Sequence, residues 1–240
     1  MRLSGKTALV TGAGRGIGRE IALAYAREGS RVALVARSAD ELGAVASEIE
    51  ALGSQALALP GDVTDQDLAA NALQRTQVEL GPLDILVNNA GVFLERPVLE
   101  TPLEEFDRVM DVNFRAPLRW MREAARGMID RGQGLLLSIS SQAGRRPYPG
   151  QGAYCASKHA LMGLVRVLAW ELREHGVRVS AISPGGVDTD LLAGAHEYAD
   201  KSAYMQPEDI AEAAIYLATL PPRAAVDEIV IRRFAADPLP

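Results

Sequence analysis

The chain has 240 residues, 48% hydrophobic and 23% charged, which is the composition of an ordinary globular protein long enough to bury a substantial core. Its 25 Lys and Arg against 31 Asp and Glu leave a formal charge of -6, which argues against attraction to nucleic acid or to an anionic membrane. The lone cysteine, Cys155, rules out a disulfide within the chain, the three histidines (His159, His175, His196) lack a ligand spacing, and no metal is expected. No apolar run reaches the roughly 18 residues that span a bilayer, and the N-terminus has no signal-peptide pattern, so a cytoplasmic setting is expected.

Read from the N-terminus, the apolar run "TALVT" 7–11 leads into the glycine-rich "TGAGRGIG" 11–18 and a helix-period segment over 18–29. Further apolar runs stand at 31–36, 55–60, 83–88, 135–140, 177–183 and 227–232, with helical segments at 38–53, 65–81, 102–132 and 152–176 between them. Most runs are near-continuous rather than alternating, which suits strands buried on both faces of a parallel sheet. Gly29, Gly53, Gly81 and Gly176 stand where helices are expected to stop. This alternation predicts right-handed βαβ units: an α/β chain, a single domain over 1–240, with a doubly wound parallel seven-stranded sheet and helices on both faces. Only 190–206 loses its periodicity and is expected to be a substrate lid, while 218–228 reads as a turn before the last strand.

The glycine-rich turn lies between a strand and a helix, where backbone N–H groups and the helix N-terminus hold phosphate, so a Rossmann-like dinucleotide site is expected. Its glycines are Gly12, Gly16 and Gly18, with Ile17 between the last two, rather than G-x-G-x-x-G. Gly12 and Gly16 permit a pyrophosphate to approach closely, and Gly18 lets the helix pack on the strand. The acidic residue that would meet a ribose 2′-hydroxyl about 20 residues on is missing, and the second strand ends in Ala36, Arg37 and Ser38. Arg37, with Arg15 in the turn, suits a 2′-phosphate, so NADP(H) is expected over NAD(H).

In "YCASK" 154–158, Tyr154 and Lys158 stand four apart and share one helix face. With "TGAGRGIG" 11–18, "DV" 62–63, "NNAG" 88–91, Asn113, Ser141 and "SPGGVDT" 183–189 in this order, the chain resembles the short-chain dehydrogenase/reductase family over nearly its whole length. The resemblance implies an oxidoreductase that moves hydride between a nicotinamide and a carbonyl or alcohol. It places Ile17 and Ser38 beside the cofactor with the residues above, Asp62 and Val63 at the adenine, and Asn89, Ala90 and Gly91 beside the adenosine ribose. Pro184, Gly185, Val187 and Thr189 would line the nicotinamide and pyrophosphate. Ser141, Tyr154 and Lys158 are assigned to catalysis, with Asn113 completing a tetrad and Ser140 as the runner-up to Ser141. On this reading Tyr154 gives the proton, the Lys158 ammonium lowers the phenol's pKa, Ser141 binds the substrate oxygen, and Asn113 disturbs its helix to hold a water.

The substrate pocket is expected to draw on 92–97, 143–152 and 190–206, including Phe93, Arg145, Arg146, Tyr148 and Tyr198, with the two arginines read first as a solvated turn and, as the alternative, as facing an acidic carrier or a phosphorylated substrate. The resemblance points to 3-oxoacyl-carrier-protein reductase-like members, although "VDEIVIRRFAADPLP" 226–240 lacks their glycine-rich segment. It also implies a homodimer or homotetramer, for which "LVRVLAWEL" 164–172 offers a helix face. A dinucleotide-binding redox sensor or scaffold without turnover is the alternative, and such a protein has no need of the Tyr154 acid.

Overall fold

Seven strands, β1 (Thr7–Thr11), β2 (Arg31–Ala36), β3 (Ala56–Pro60), β4 (Ile85–Asn88), β5 (Gly134–Ile139), β6 (Val177–Pro184) and β7 (Glu228–Ile231), form one parallel sheet in the order β3-β2-β1-β4-β5-β6-β7. This computed structural model describes residues 1–191 and 203–237. The doubly wound seven-stranded sheet expected from the alternation is present. Strand side chains alternate between two cores: Ala8, Val10, Leu34, Val87 and Leu137 face one layer, and Leu9, Ala33, Leu86 and Leu136 face the other. Both faces are dry, which explains why the strand sequences read as unbroken apolar runs.

The first layer is made by α1 (Gly16–Arg27), α2 (Ala39–Ala51) and α7 (Pro207–Ala218), and the second by α3 (Leu68–Glu79), α5 (Ala116–Arg131) and α6 (Gly152–Leu172). The sequence expectation for 102–132 was one helical segment, but the chain forms α4 (Leu103–Met110), a π-helical turn over Asp111–Arg115, and then α5. The sequence reading also did not name α7, whose capping box between Gln206 and Asp209 and whose Pro207 at the start are ordinary helix-start signals. Among the described residues, no helix is long and apolar enough to cross a membrane.

All four glycines read as helix stops have positive φ, Gly29 at 88°, Gly53 at 81°, Gly81 at 99° and Gly176 at 70°. Gly132, which ends α5, has φ 66° and open space where a side chain would go. Gly176 has nearly the same φ, but a Cβ there would fall 2.2 Å from the carbonyl oxygen of Gly132. The two turns therefore pack backbone on backbone just where the chain enters the neighbouring strands β5 and β6. Gly132→Ala is expected to destabilise by about 1–2 kcal/mol, the left-handed penalty alone. Gly176→Ala, which adds a backbone clash to the same penalty, is expected to destabilise by about 3 kcal/mol or more. Denaturant melts of the two variants check the difference, and equal losses would contradict the packing account.

Candidate active site

The strand order reverses between β1 and β4, and loops leaving adjacent strands in opposite directions open a crevice at their carboxyl ends. Here it is a cleft of ≈ 1080 Å³ lined by the glycine-rich turn, residues 36–38 with Glu41, residues 61–64, residues 89–92, the acidic side of α4, and Thr189 to Leu191.

Asn89 and Thr11 fix the floor of the cleft. The Asn89 amide donates to the carbonyls of Thr11 and Gly12 at 3.0 and 3.1 Å, while Thr11 Oγ1 accepts from the N–H groups of Asn89 and Ala90 at 3.0 and 3.2 Å. The turn is held so tightly that a Cβ on Gly18 would fall 2.2 Å from the Gly12 oxygen, and one on Gly12 would fall 2.8 Å from Asn89 Nδ2. With no side chains on these positions, the backbone at the N-terminus of α1 stays open to the cleft. That fits the pyrophosphate of a dinucleotide.

Arg15 and Arg37 are exposed at one end of the cleft. Arg15 Nη1 lies 3.8 Å from Glu41 Oε1 and 3.5 Å from Asp190 Oδ2. Ser38 both lines the cleft and caps α2, its Oγ accepting from the Glu41 N–H at 3.2 Å. Asp62 accepts from the Thr64 N–H and hydroxyl at 2.9 and 2.7 Å, and these bonds, aided by nearby Arg37, hold its carboxyl below the usual range. Val63 is buried, its carbonyl accepting from Trp120 Nε1. Ile17, Ala90, Gly91 and Thr189 line the cleft, whereas Gly18, Pro184, Gly185 and Val187 do not. Gly185 abuts Gln142, and Val187 is buried and bridged to Met205.

Ser140 and Ser141 follow β5 directly. The Ser140 hydroxyl is buried without a hydrogen-bond partner, and Ser141 is the serine whose hydroxyl reaches the Tyr154 phenol, its Oγ also accepting from the Ala143 N–H at 3.1 Å. Tyr154 and Lys158 sit one turn apart on α6, both buried; Lys158 Nζ donates to the Ile139 carbonyl at 3.0 Å and lies 5.7 Å from the Tyr154 ring centroid. Phe93 meets that ring edge-on at 5.1 Å. Asn113 lies in the π-helical turn with its side chain fully engaged: Oδ1 accepts from the Val92 N–H at 2.9 Å, and Nδ2 donates to the Val92 carbonyl at 2.9 Å and to Ser157 Oγ at 3.1 Å. Ser157 Oγ in turn donates to the Tyr154 carbonyl at 2.7 Å, so Asn113 ties the loop after β4 to the helix that carries the tyrosine.

Three expectations are corrected here. The first is that the Lys158 charge lowers the Tyr154 pKa. In the free protein burial is the larger effect and pushes the phenol up to about 12, with the Ser141 hydroxyl offsetting part of it, while burial pushes Lys158 down to about 8. The second and third concern Arg145 and Arg146, expected to be solvated in their turn or, as the alternative, to face an anionic substrate. Arg145 Nη1 instead pairs with Glu228 Oε2 at 2.7 Å. Arg146 donates to the Tyr148 hydroxyl at 2.7 Å and stacks over that ring at 4.8 Å. Tyr198, and the lid expected over 190–206 from position 192 to 202, lie outside the described residues.

The sequence reading also passed over Thr11, Ser157 and Glu41. Thr11 had a usable signal, a polar residue closing a buried strand beside the phosphate turn. Glu41 had another, since "SADE" 38–41 has the S-x-x-E spacing of a capping box. Ser157 had none, because a serine inside a helix has no local mark of a long-range partner.

Comparison with known proteins agrees with this geometry. Residues 6–199 match the family model described as short chain dehydrogenase, and the chain belongs to the short-chain dehydrogenase/reductase family of NAD(P)-dependent oxidoreductases acting on CH–OH or C=O groups. Sorbitol dehydrogenase of Cereibacter sphaeroides is 43% identical over 195 residues, 81% of this chain and 75% of the relative. Glycine betaine reductase ATRR of Emericella nidulans is 39% identical over 237 residues, 95% of this chain, and this chain spans only 19% of that protein. Among solved structures, a short-chain type dehydrogenase/reductase from Mycobacterium marinum aligns with a TM-score of 0.92 at 37% identity over 98% of this chain and 97% of its own. The alcohol dehydrogenase from the archaeon Thermococcus sibiricus, complexed with 5-hydroxy-NADP, aligns with a TM-score of 0.90 at 32% identity over 98% and 99%.

The burial of Lys158 leads to a stability prediction. Its folded pKa of about 8 lies below the 10.5 of an unfolded lysine, so the unfolded chain holds the proton more tightly. The resulting penalty is complete below pH 8 and is relieved as pH rises toward 10.5. Lys158→Met is therefore expected to raise stability at pH 7 by about 1–3 kcal/mol, several degrees in Tm. The gain should shrink above pH 8, and a melting series against pH on the two proteins checks both its sign and its window.

Proposed function

We propose that this chain is an NADP(H)-preferring carbonyl reductase or alcohol dehydrogenase in which Tyr154 is the general acid/base. The observation that carries this reading is the meeting of Ser141, Tyr154 and Lys158 at the carboxyl end of β5. A nicotinamide dinucleotide held in the cleft supplies or accepts the hydride. Gly12, Gly16 and the α1 N-terminus hold its pyrophosphate, Asp62 and Val63 the adenine, Asn89 to Gly91 the adenosine ribose, and Thr189 the nicotinamide side, while Pro184, Gly185 and Val187, which do not line the cleft, carry the segment that leads to it. Arg15, Arg37 and Ser38 take a 2′-phosphate, and this supports NADP(H) as the preferred cofactor. A metagenomic short-chain oxidoreductase in complex with NADP, 37% identical with a TM-score of 0.86, adds support from a relative.

Ser141 hydrogen-bonds the substrate oxygen and steadies its developing charge. Tyr154 gives its proton to that oxygen in reduction and takes it back in oxidation. At pH 7 Lys158, with its pKa of about 8, is mostly an ammonium, able to donate to the ribose hydroxyls of a bound nicotinamide. The Asn113 turn supports the helix on which this pair stands and holds the water that relays protons to Lys158.

Because Arg145 and Arg146 are tied within the protein, an uncharged carbonyl or alcohol is the better-supported substrate, with 3-oxoacyl-carrier thioesters as the finer assignment to screen against it. The sorbitol named for one relative makes polyols the other group to include. The enzyme works in the cytoplasm as a homodimer or homotetramer through the α6 face bearing exposed Val167 and Trp170. A non-catalytic sensor has no use for the Ser141–Tyr154–Lys158 set, and this favours the enzyme.

Tyr154→Phe is expected to lower kcat/KM by about 10² to 10⁴ while leaving NADPH affinity nearly intact, as for loss of a general acid. Turnover that survives the substitution would remove Tyr154 from the mechanism. Arg37→Ala is expected to weaken NADPH by roughly 10- to 150-fold, one charge-assisted contact, with little change for NADH. Fluorescence titration with both cofactors reads this, and equal losses would remove the 2′-phosphate assignment.

A further inference from the structure

The sequence "SADE" 38–41 has the spacing of a capping box, in which a serine caps the N3 amide and the N3 glutamate reaches back to the serine N–H. Only half of that box forms. Ser38 Oγ accepts from the Glu41 N–H at 3.2 Å, but the Glu41 carboxylate turns the other way, toward the glycine-rich turn. Its Oε2 lies 2.6 Å from where a Cβ on Gly14 would stand, and its Oε1 lies 3.8 Å from Arg15 Nη1. Glu41 lines the cleft together with Arg15, Arg37 and Ser38, the groups that would surround a 2′-phosphate.

A carboxylate in that position has two effects on a phosphate. It repels the incoming negative charge, and it occupies one of the two cations that would receive it, since Arg15 is shared between Glu41 and Asp190. A ribose bearing only hydroxyls meets neither penalty and gains an acceptor. The end of β2 has no acidic residue to meet that ribose, and Glu41 brings one into the same region from the first turn of α2.

We propose that Glu41 sets the dinucleotide preference of this site, working against Arg15 and Arg37 so that NADH is accepted beside NADPH. The inference rests on the 2′-phosphate reading of Arg15 and Arg37. The cap holds the Glu41 backbone while the carboxylate stays partly exposed beside Arg15, so its effect is local and electrostatic.

The test is titration of wild-type protein, Glu41→Gln and Arg37→Ala with NADPH and with NADH, followed by fluorescence at low and at high salt. Glu41→Gln keeps the shape of the side chain and the backbone N–H that Ser38 caps, and a melting curve on each variant verifies the fold. The expected result is about tenfold tighter NADPH with NADH held within about twofold, a shift that fades at high salt as a Coulomb term must. Glu41→Lys should enlarge the shift in the same direction. An unchanged NADPH-to-NADH ratio in both Glu41 variants overturns the proposal, even where Arg37→Ala shows that the 2′-phosphate reading is right. A Glu41 shift with no response to Arg37→Ala supports the role of Glu41 and removes Arg37 from the phosphate site. No response in any variant overturns both.

Discussion

The set of hydrogen bonds that Asn89 donates to Thr11 and its neighbour is the constraint on which the site depends. β1 and β4 are neighbours whose chains diverge, and nothing in the sheet ladder itself joins the loops that leave them. One hydroxyl and one amide do so, with four bonds across 78 positions of sequence or close to it. They draw the glycine-rich turn so close to the loop after β4 that side chains are excluded from it. The backbone proposed to hold phosphate is thus fixed before any ligand arrives, which limits the ordering that binding must bring about.

The other half of the site is arranged on a different principle. Tyr154 and Lys158 are buried on α6, where an ammonium whose partner among the described residues is the Ile139 carbonyl is disfavoured. The surrounding apolar packing of Met121, Leu161, Met162 and Val165 holds the helix there regardless. Asn113, Ser157 and the π-helical turn then fix the start of α6 relative to the loop at Val92. Function in this region is sustained by local unfavourable terms that the rest of the domain offsets, a common feature of reacting sites.

Most of the fold was legible in the sequence because a parallel sheet covered on both sides writes itself as apolar runs separated by helix-period segments. The glycine-rich turn was legible because glycines at 12, 16 and 18 between a strand and a helix suit close backbone approach and helix packing. What could not be read was anything decided by a partner far along the chain. Arg145 and Arg146 look like free cations in a turn, yet one is claimed by Glu228 across the sheet and the other by Tyr148. The direction of the Tyr154 shift was unreadable as well. Spacing shows that a lysine is one turn away, but burial, which outweighs it, is a property of the assembled layers. The π-helical turn at Asn113 lies between these cases: the sequence marks the residue, and only the packed helices determine the wider turn.

The Glu228 carboxylate, held between Arg145 and the Ser183 hydroxyl, has a consequence for how the protein is made. Glu228 opens the last strand, and Arg145 stands four positions after Ser141. On a ribosome β1, β2 and β3 can pair early, while the glycine-rich turn gains its Asn89 contacts once β4 has been made. The loop that follows Ser141 receives its anchor only when β7 emerges and pairs with β6. A nascent chain can therefore hold the Asn89-bound glycine-rich turn before the Arg145–Glu228 contact exists.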